Sequence, residues 1–353
     1  MSLRTGVLTF HRPINYGSYW QARNLVEGLR RMGHQAELID HDTPASRTAE
    51  RRISLRPTLP TPVPRKDIPR YKEKIRKFDE AHCHLPRSCA KSLNRLHELE
   101  PYDTVVVGSD EVWNLGHPLF GSRVAFYGVG LPSKRVISYA ASFGNFSCWE
   151  GLQVPWPELL SRFDAISVRD ENSWWMLKHA LDLELPLVLD PCLQFPIPVE
   201  GGEAIPGSYV LVYGHNFSDA YAHRVRSWAD GAGIKLVSVG YRNDWAHEQW
   251  LEAGPLDFPR VVAGAQAVAT NFFHGCVFAL AFEKPFATET SDYRAIKVRG
   301  LLEAVRAEAH MVTEVTSNEV LISLLSMPPA PEIFGRIARL REDSSRYLTE
   351  ALA

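Results

Sequence analysis

The chain has 353 residues, of which 45% are apolar and 23% charged, and its formal net charge is -2. That is the composition of a soluble globular protein with length enough for two ordinary domains, and the near-neutral balance excludes a general nucleic-acid binder. No apolar run approaches the ~20 residues that span a bilayer, and the N-terminus enters a strand with no basic-then-apolar leader; the chain reads as cytoplasmic, with peripheral contact at the inner membrane face and the oligomeric state left open.

Residues 6–10 form a short apolar strand. A turn-rich loop, 11–18, leads to a helix predicted over 19–32, where Trp20, Leu25, Leu29 and Met32 recur near the helical period. Ser18 is its candidate N-cap and Gly33 its stop. A strand at 36–39 completes a β-α-β start, so a parallel sheet is expected. Pro57, Pro60, Pro62, Pro64 and Pro69 then make residues 55–69 an extended surface excursion. A basic amphipathic segment, 71–78, and a helix around 89–98 follow. Further strands are predicted at 104–107, 136–140, 165–168 and 187–189. Beyond a loose stretch at 196–207 a second unit opens with strand 209–213, helix 220–232, strand 236–239, helix 258–264 and strand 267–269. A short strand at 285–287, a helix at 296–308 and more helix beyond 317 complete it. The predicted architecture is α/β in two units, 1–195 and 208–353, with linker 196–207 and a cleft between them.

Polar and glycine-bearing residues gather where these strands end: Asn15, Tyr16, Gly17 and Ser18; Gly108, Ser109 and Asp110; Ser142, Phe143, Gly144 and Asn145; Arg169 and Asp170; His215 and Asn216; and Asn271 to His274. In parallel sheets all of them lie at carboxyl edges facing one crevice, where open α/β folds hold ligands. Gly17 would let a ligand approach the backbone, although no GxGxxG is present and no dinucleotide site is expected. His274 precedes an apolar stretch with helical spacing. A helix N-terminus there favours an anion, and an imidazole exchanges protons near neutral pH. Arg169 either forks onto a carboxylate or phosphate or pairs locally with Asp170 or Glu171. Lys297 either enters the cleft from a helix start or is a solvated surface lysine.

Other chemistry finds little support in the spacing. The five cysteines, Cys83, Cys89, Cys148, Cys192 and Cys276, are scattered without a CxxC pair, which fits free thiols in a reducing compartment. His82 and His84 flank Cys83 without nearby carboxylates, so no metal site is expected. No GxSxG, P-loop or HExxH occurs. Trp113, Trp149, Trp156, Trp174 and Trp175 read mainly as core and edge packing, with partial stacking on sugar as the alternative.

Taken in order, several segments resemble the polysaccharide pyruvyltransferase family. They are residues 6–10 with Asn15, Tyr16, Gly17 and Gln21; the run Val107, Gly108, Ser109, Asp110, Glu111, Val112, Trp113, Asn114; the run Ser138 to Gly144; Ser167, Val168, Arg169, Asp170; Leu189, Asp190, Pro191; and Phe273, His274, Gly275 with Lys284, Pro285, Phe286. The resemblance implies two Rossmann-like domains in a GT-B-like arrangement, with the active site between them. It implies transfer of pyruvyl from phosphoenolpyruvate to two hydroxyls of a sugar or lipid-linked glycan, forming a ketal, with no cofactor. It assigns the family's arginine, histidine and lysine to Arg169, His274 and Lys297. The N-H groups of helices following Ser18 or Ser109 would help hold the donor phosphate. Some members carry an arginine two residues before the histidine; this chain has Phe272 there. The competing readings are a nucleotide-sugar glycosyltransferase and a carbohydrate-binding protein without catalysis.

Overall fold

The computed structural model describes residues 2–57, 59–147, 152–199, 205–289 and 295–353. Cys148, Trp149, residues 200–204 of the linker and the segment from Asp292 to Arg294 lie outside the described residues. The first sheet is built from β1 (Arg4–Leu8), β2 (Gln35–Leu38), β3 (Tyr102–Val107) and β4 (Ser133–Ser138), in the order β2-β1-β3-β4. The second contains β5 (Tyr209–Tyr213), β6 (Lys235–Val239), β7 (Glu248–Trp250), β8 (Ala267–Thr270), β9 (Phe286–Glu289) and β10 (Met311–Val312), ordered β10-β9-β8-β5-β6-β7. Every pairing in both sheets is parallel. Continuous apolar runs such as Tyr209–Tyr213 fit this, because strands of a parallel sheet are covered on both faces. The predicted strands at 165–168 and 187–189 appear only as isolated parallel bridges, Ile137 to Ala165, Ala141 to Val168 and Val168 to Leu187. They continue the order of the first sheet past β4.

The first unit carries α1 (Tyr16–Arg31), α2 (Pro44–Leu55), α3 (Ile68–Cys83), α4 (Trp156–Leu160), α5 (Glu171–Leu181) and α6 (Pro191–Gln194). The second carries α7 (Asp219–Ala232), α8 (Asp257–Gly264), α9 (Phe273–Ala281), α10 (Ala295–Val305), α11 (Asn318–Ser326) and α12 (Pro331–Ala351). Two Rossmann-like units thus face each other in the GT-B-like arrangement, and the carboxyl edges of both sheets border one cleft.

Three local expectations are corrected. α1 begins three residues earlier than predicted; Asn15 is its N-cap, its side chain accepting from Ser18 N, so Ser18 lies inside the first turn. The excursion is narrower than 55–69. Residues 44–55 are helical behind a Thr43 and Ser46 capping box, and Pro69 sits in the first turn of α3, where its missing N-H costs nothing. The helix predicted around 89–98 is only a 3-10 turn, Leu93–Glu98. The residues before it run beside β2, where Leu38 N donates to Pro86 O and Ser88 N to Leu38 O.

The two units exchange elements. α12 follows the second unit in sequence, where Arg336 Nε donates to Ala304 O beside α10, and it continues onto the first. Leu189 N donates to Ser344 Oγ at 2.9 Å, Tyr347 O-H to Ser138 O at 2.6 Å, and Arg135 to the carbonyls of Ala351 and Ala353. In the other direction α3 crosses onto the second unit. Arg70 pairs with Glu252 at 2.7 Å, Lys77 with Asp257 at 3.1 Å, and Lys74 donates to Gly240 O at 3.1 Å.

Lys74 is buried between aromatic rings, 4.5 Å from the Tyr241 ring centre and 4.8 Å from that of Tyr16. Burial pulls its pKa down from 10.5 to about 7, against the opposing charge of Glu50. Between these values the unfolded chain binds the proton and the folded chain does not, so stability rises with pH from about 7 to 10.5. Lys74→Met is therefore expected to gain most, on the order of a few kcal/mol, below pH 7 and to lose that advantage toward pH 10. Urea midpoints of both proteins at pH 6 and pH 9.5 measure it; an advantage independent of pH would contradict the assignment.

Candidate active site between the two units

The cleft has a volume of about 310 Å³ and brings together groups from both sheets, among them Asn15, Ser18, Asp110, Arg169, His215, His274 and Lys297. Each reaches it from a strand end or a helix start. Asp110 follows β3 in a left-handed conformation, φ 74, which an aspartate tolerates better than most residues. Arg169 follows the bridge at Val168, His274 lies in the first turn of α9, and Lys297 in the first turn of α10.

On the first-unit side the wall is ionic. Arg169, with only 2% of its side chain exposed, donates Nη1 to Asp190 Oδ2 at 2.9 Å and Nη2 to Asp110 Oδ1 at 3.1 Å. Its partners are thus distant carboxylates rather than the adjacent Asp170 or Glu171, and Asp170 instead caps α5 by accepting from Ser173 N. The guanidinium also lies 4.5 Å from the centre of the Phe273 ring. Ser18 Oγ donates to Asp110 Oδ2 at 3.0 Å, and His274 Nε2 stands 3.5 Å from Asp190 Oδ2. Burial would raise the Asp190 carboxyl, but His274 and Arg169 outweigh it and hold it well below the usual carboxylate range.

Lys297 pairs with Glu111. The other oxygen of Glu111 accepts from Asn114 Nδ2 at 2.8 Å. Gly144, at φ 63, leaves room for this carboxylate: a Cβ there would sit 2.0 Å from Glu111 Oε2. Burial raises Glu111, and Lys297, Asn114 and Arg169 reverse the effect, leaving it at about 2.

The second-unit side is aromatic. Tyr213, His215, Tyr241 and Phe272 line it, with Phe272 ring centres 5.0 Å from Tyr213, 5.2 Å from His215 and 5.4 Å from Tyr241. Phe272, at the position where some family members carry arginine, is part of this wall and also the N-cap residue of α9. Its own side chain accepts no hydrogen bond from the first turn of α9.

The remaining predicted binding residues lie behind the cleft surface. Tyr16 is buried, its ring stacked 4.4 Å from Phe258 and its hydroxyl donating to Ala253 O. At Gly17 the space of the missing side chain is filled by the His274 ring, whose Nδ1 lies 2.0 Å from where a Cβ would stand. Gly108 packs against Tyr139 O in the same way. Ser109 is buried, its hydroxyl accepting from Asp110 N, and no helix starts after it. Ser142 Oγ accepts from Gly144 N at 2.8 Å. Asn271 is buried with Nδ2 donating to His215 O. Asn114 acts through Glu111. Among the tryptophans, Trp113 is fully buried and donates to Phe126 O.

Sequence reasoning missed the working partners Glu111 and Asp190. Both lie in segments that carry the family resemblance, and Asp190 before Pro191 has the signature of a helix N-cap, which it is. Among the described residues no group of three His, Cys, Asp or Glu side chains could hold a metal ion, and no helix is long and apolar enough to cross a membrane.

The fold and the ionic cleft define a two-unit α/β protein with its functional groups at the carboxyl edges of facing parallel sheets. The family model for polysaccharide pyruvyl transferase matches residues 15–293, and the chain belongs to that family. No curated protein matches the sequence at a significant level. Among solved structures, similar chains include a UDP-GlcNAc 2-epimerase from Neisseria meningitidis bound to UDP-GlcNAc. It is 12% identical, with 99% of this chain and 98% of that one covered at a TM-score of 0.48. The E. coli heptosyltransferase WaaC with ADP is also 12% identical, covering 96% and 99% at 0.41. At these values each is a distant likeness of form and says nothing of substrate or reaction.

Proposed function

We propose that the protein transfers the pyruvyl group of phosphoenolpyruvate to two hydroxyls of a sugar in a glycan, forming a cyclic ketal and releasing phosphate. The supporting observation is that Arg169, His274 and Lys297, far apart in sequence, line one cleft. Phosphoenolpyruvate carries a carboxylate and a phosphate. Lys297 and the start of α9 would receive the phosphate, which takes the place of Glu111 at the ammonium. Arg169 has two of its five donors committed to Asp110 and Asp190 and keeps others for the donor carboxylate.

His274, as imidazolium, protonates the methylene carbon, and the central carbon becomes an oxocarbenium centre. A sugar hydroxyl oxygen bonds to that carbon and returns its proton to the imidazole. The bond from carbon to the phosphate oxygen then breaks, phosphate leaving with that proton. A second hydroxyl closes the ketal and re-protonates the ring. Of the two hydroxyl protons, one is in the new methyl group's account and one leaves on phosphate. The scheme uses no metal and no organic cofactor.

Calorimetric titration with phosphoenolpyruvate, and in parallel with UDP- and GDP-sugars, tests the donor. Phosphorus NMR over a panel of methyl glycosides tests turnover, the enolphosphate signal giving way to inorganic phosphate. Binding of a nucleotide sugar with no affinity for phosphoenolpyruvate would reject the proposal.

A further inference from the structure

The two nitrogens of His274 have different surroundings. Nε2 is sealed from solvent and has no hydrogen-bond partner of good geometry; the group facing it is Asp190 Oδ2, at 3.5 Å. Asp190 cannot turn away. Its side chain is 1% exposed, Oδ2 also accepts from Arg169, and Oδ1 accepts from Cys192 N at 3.0 Å. The opposite edge of the ring lies on Gly17, where a Cβ would stand 2.0 Å from Nδ1 and 2.2 Å from Cγ. Gly17 belongs to the first turn of α1, between the cleft-lining residues Asn15 and Ser18.

From this geometry we infer that Nδ1 is the atom of His274 that exchanges protons with substrate, and that Asp190 is the positioning residue that keeps the other proton on Nε2. The destination of the proton rests on the pyruvyl-transfer reading; the tautomer does not. An ionised carboxylate only accepts, so the nitrogen facing it carries hydrogen, and in the neutral ring the lone pair then falls on Nδ1. Through the reaction Nε2-H stays against Asp190. Nδ1 gives its proton to the methylene carbon, takes one from the first hydroxyl, passes it to the departing phosphate and takes the last from the second hydroxyl. It ends as it began. Gly17 has a second use in this arrangement, since any larger residue would push Nδ1 off its place.

The test is nitrogen NMR of the full-length protein labelled with ¹⁵N-histidine, with His274→Ala used to assign the signals. At a pH where the ring is neutral, the Nε2-H form is expected to dominate about tenfold or more in the wild type and to fall to within about threefold of its rival in Asp190→Asn. Addition of phosphoenolpyruvate is expected to move the Nδ1 signal and leave Nε2 nearly in place. An Nδ1-H form in the wild type overturns the inference, whether or not any variant folds. An Nε2-H form that ignores phosphoenolpyruvate supports the Asp190 arrangement and counts against the donor instead. In Gly17→Ala, an unmoved Nδ1 signal would likewise overturn the proposed contact.

Discussion

His274→Ala is expected to lower pyruvyl transfer by about 10²–10⁴-fold, the usual weight of a general acid-base group. The loss follows from the number of proton movements assigned to one ring. No other histidine stands in its place: His215 and His117 line the same cleft, but His215 belongs to the aromatic wall, against Tyr241 and Phe272, and His117 Nδ1 accepts from the backbone of Leu119 and Phe120. The fold should survive, because Asp190 keeps Arg169 and Cys192 N as partners. Phosphate release under saturating donor, a thermal melt and a donor titration together read the result. A melt close to wild type, intact donor binding and lost turnover are expected; near-normal transfer would remove His274 from the mechanism.

The second large effect is on stability. From the sequence, Arg169 reads either as an anion-binding fork or as a local ion-pair partner. The structure makes Arg169 the shared cation of two buried carboxylates, Asp110 and Asp190. Removing one member of a buried ion pair typically costs about 3–5 kcal/mol, because the remaining charge is left without compensation. Arg169→Ala is therefore expected to lose at least that much in urea unfolding. Arg169→Lys should recover only part, since an ammonium cannot fork to two carboxylates as a guanidinium does. A loss below about 1 kcal/mol for the alanine variant would mean that the carboxylates find other partners.

What could be read from the sequence follows from the range of the interactions involved. β1, β3, β5 and β8 announced themselves as apolar runs ending in polar residues, because both faces of a parallel sheet are covered. α2 gave no such sign: none of its side chains is buried, so it has no apolar stripe to recognise. The start of α1 was misjudged because Asn15 and Ser18 are both credible caps, and only geometry separates them. The residues around the cleft were legible as strand ends. Their pairings were not. Arg169 meets Asp190 and Asp110 across 21 and 59 residues of chain, and Lys297 meets Glu111 across 186. Spacing along a strand or helix carries no trace of such contacts. Gly17 shows the same limit in miniature: the need for a small residue was visible, but not that the occupant of the space would be His274.

The crossed helices have a consequence for how the molecule can be divided. α3 leaves the first half to grip the second, and α12 returns from the second to close on the first. Neither half owns all of the apolar surface that covers it. Cutting the gene at the linker would therefore yield two fragments that each lack a strap, and the natural boundary for dissection is a pair of interleaved pieces rather than one severed hinge.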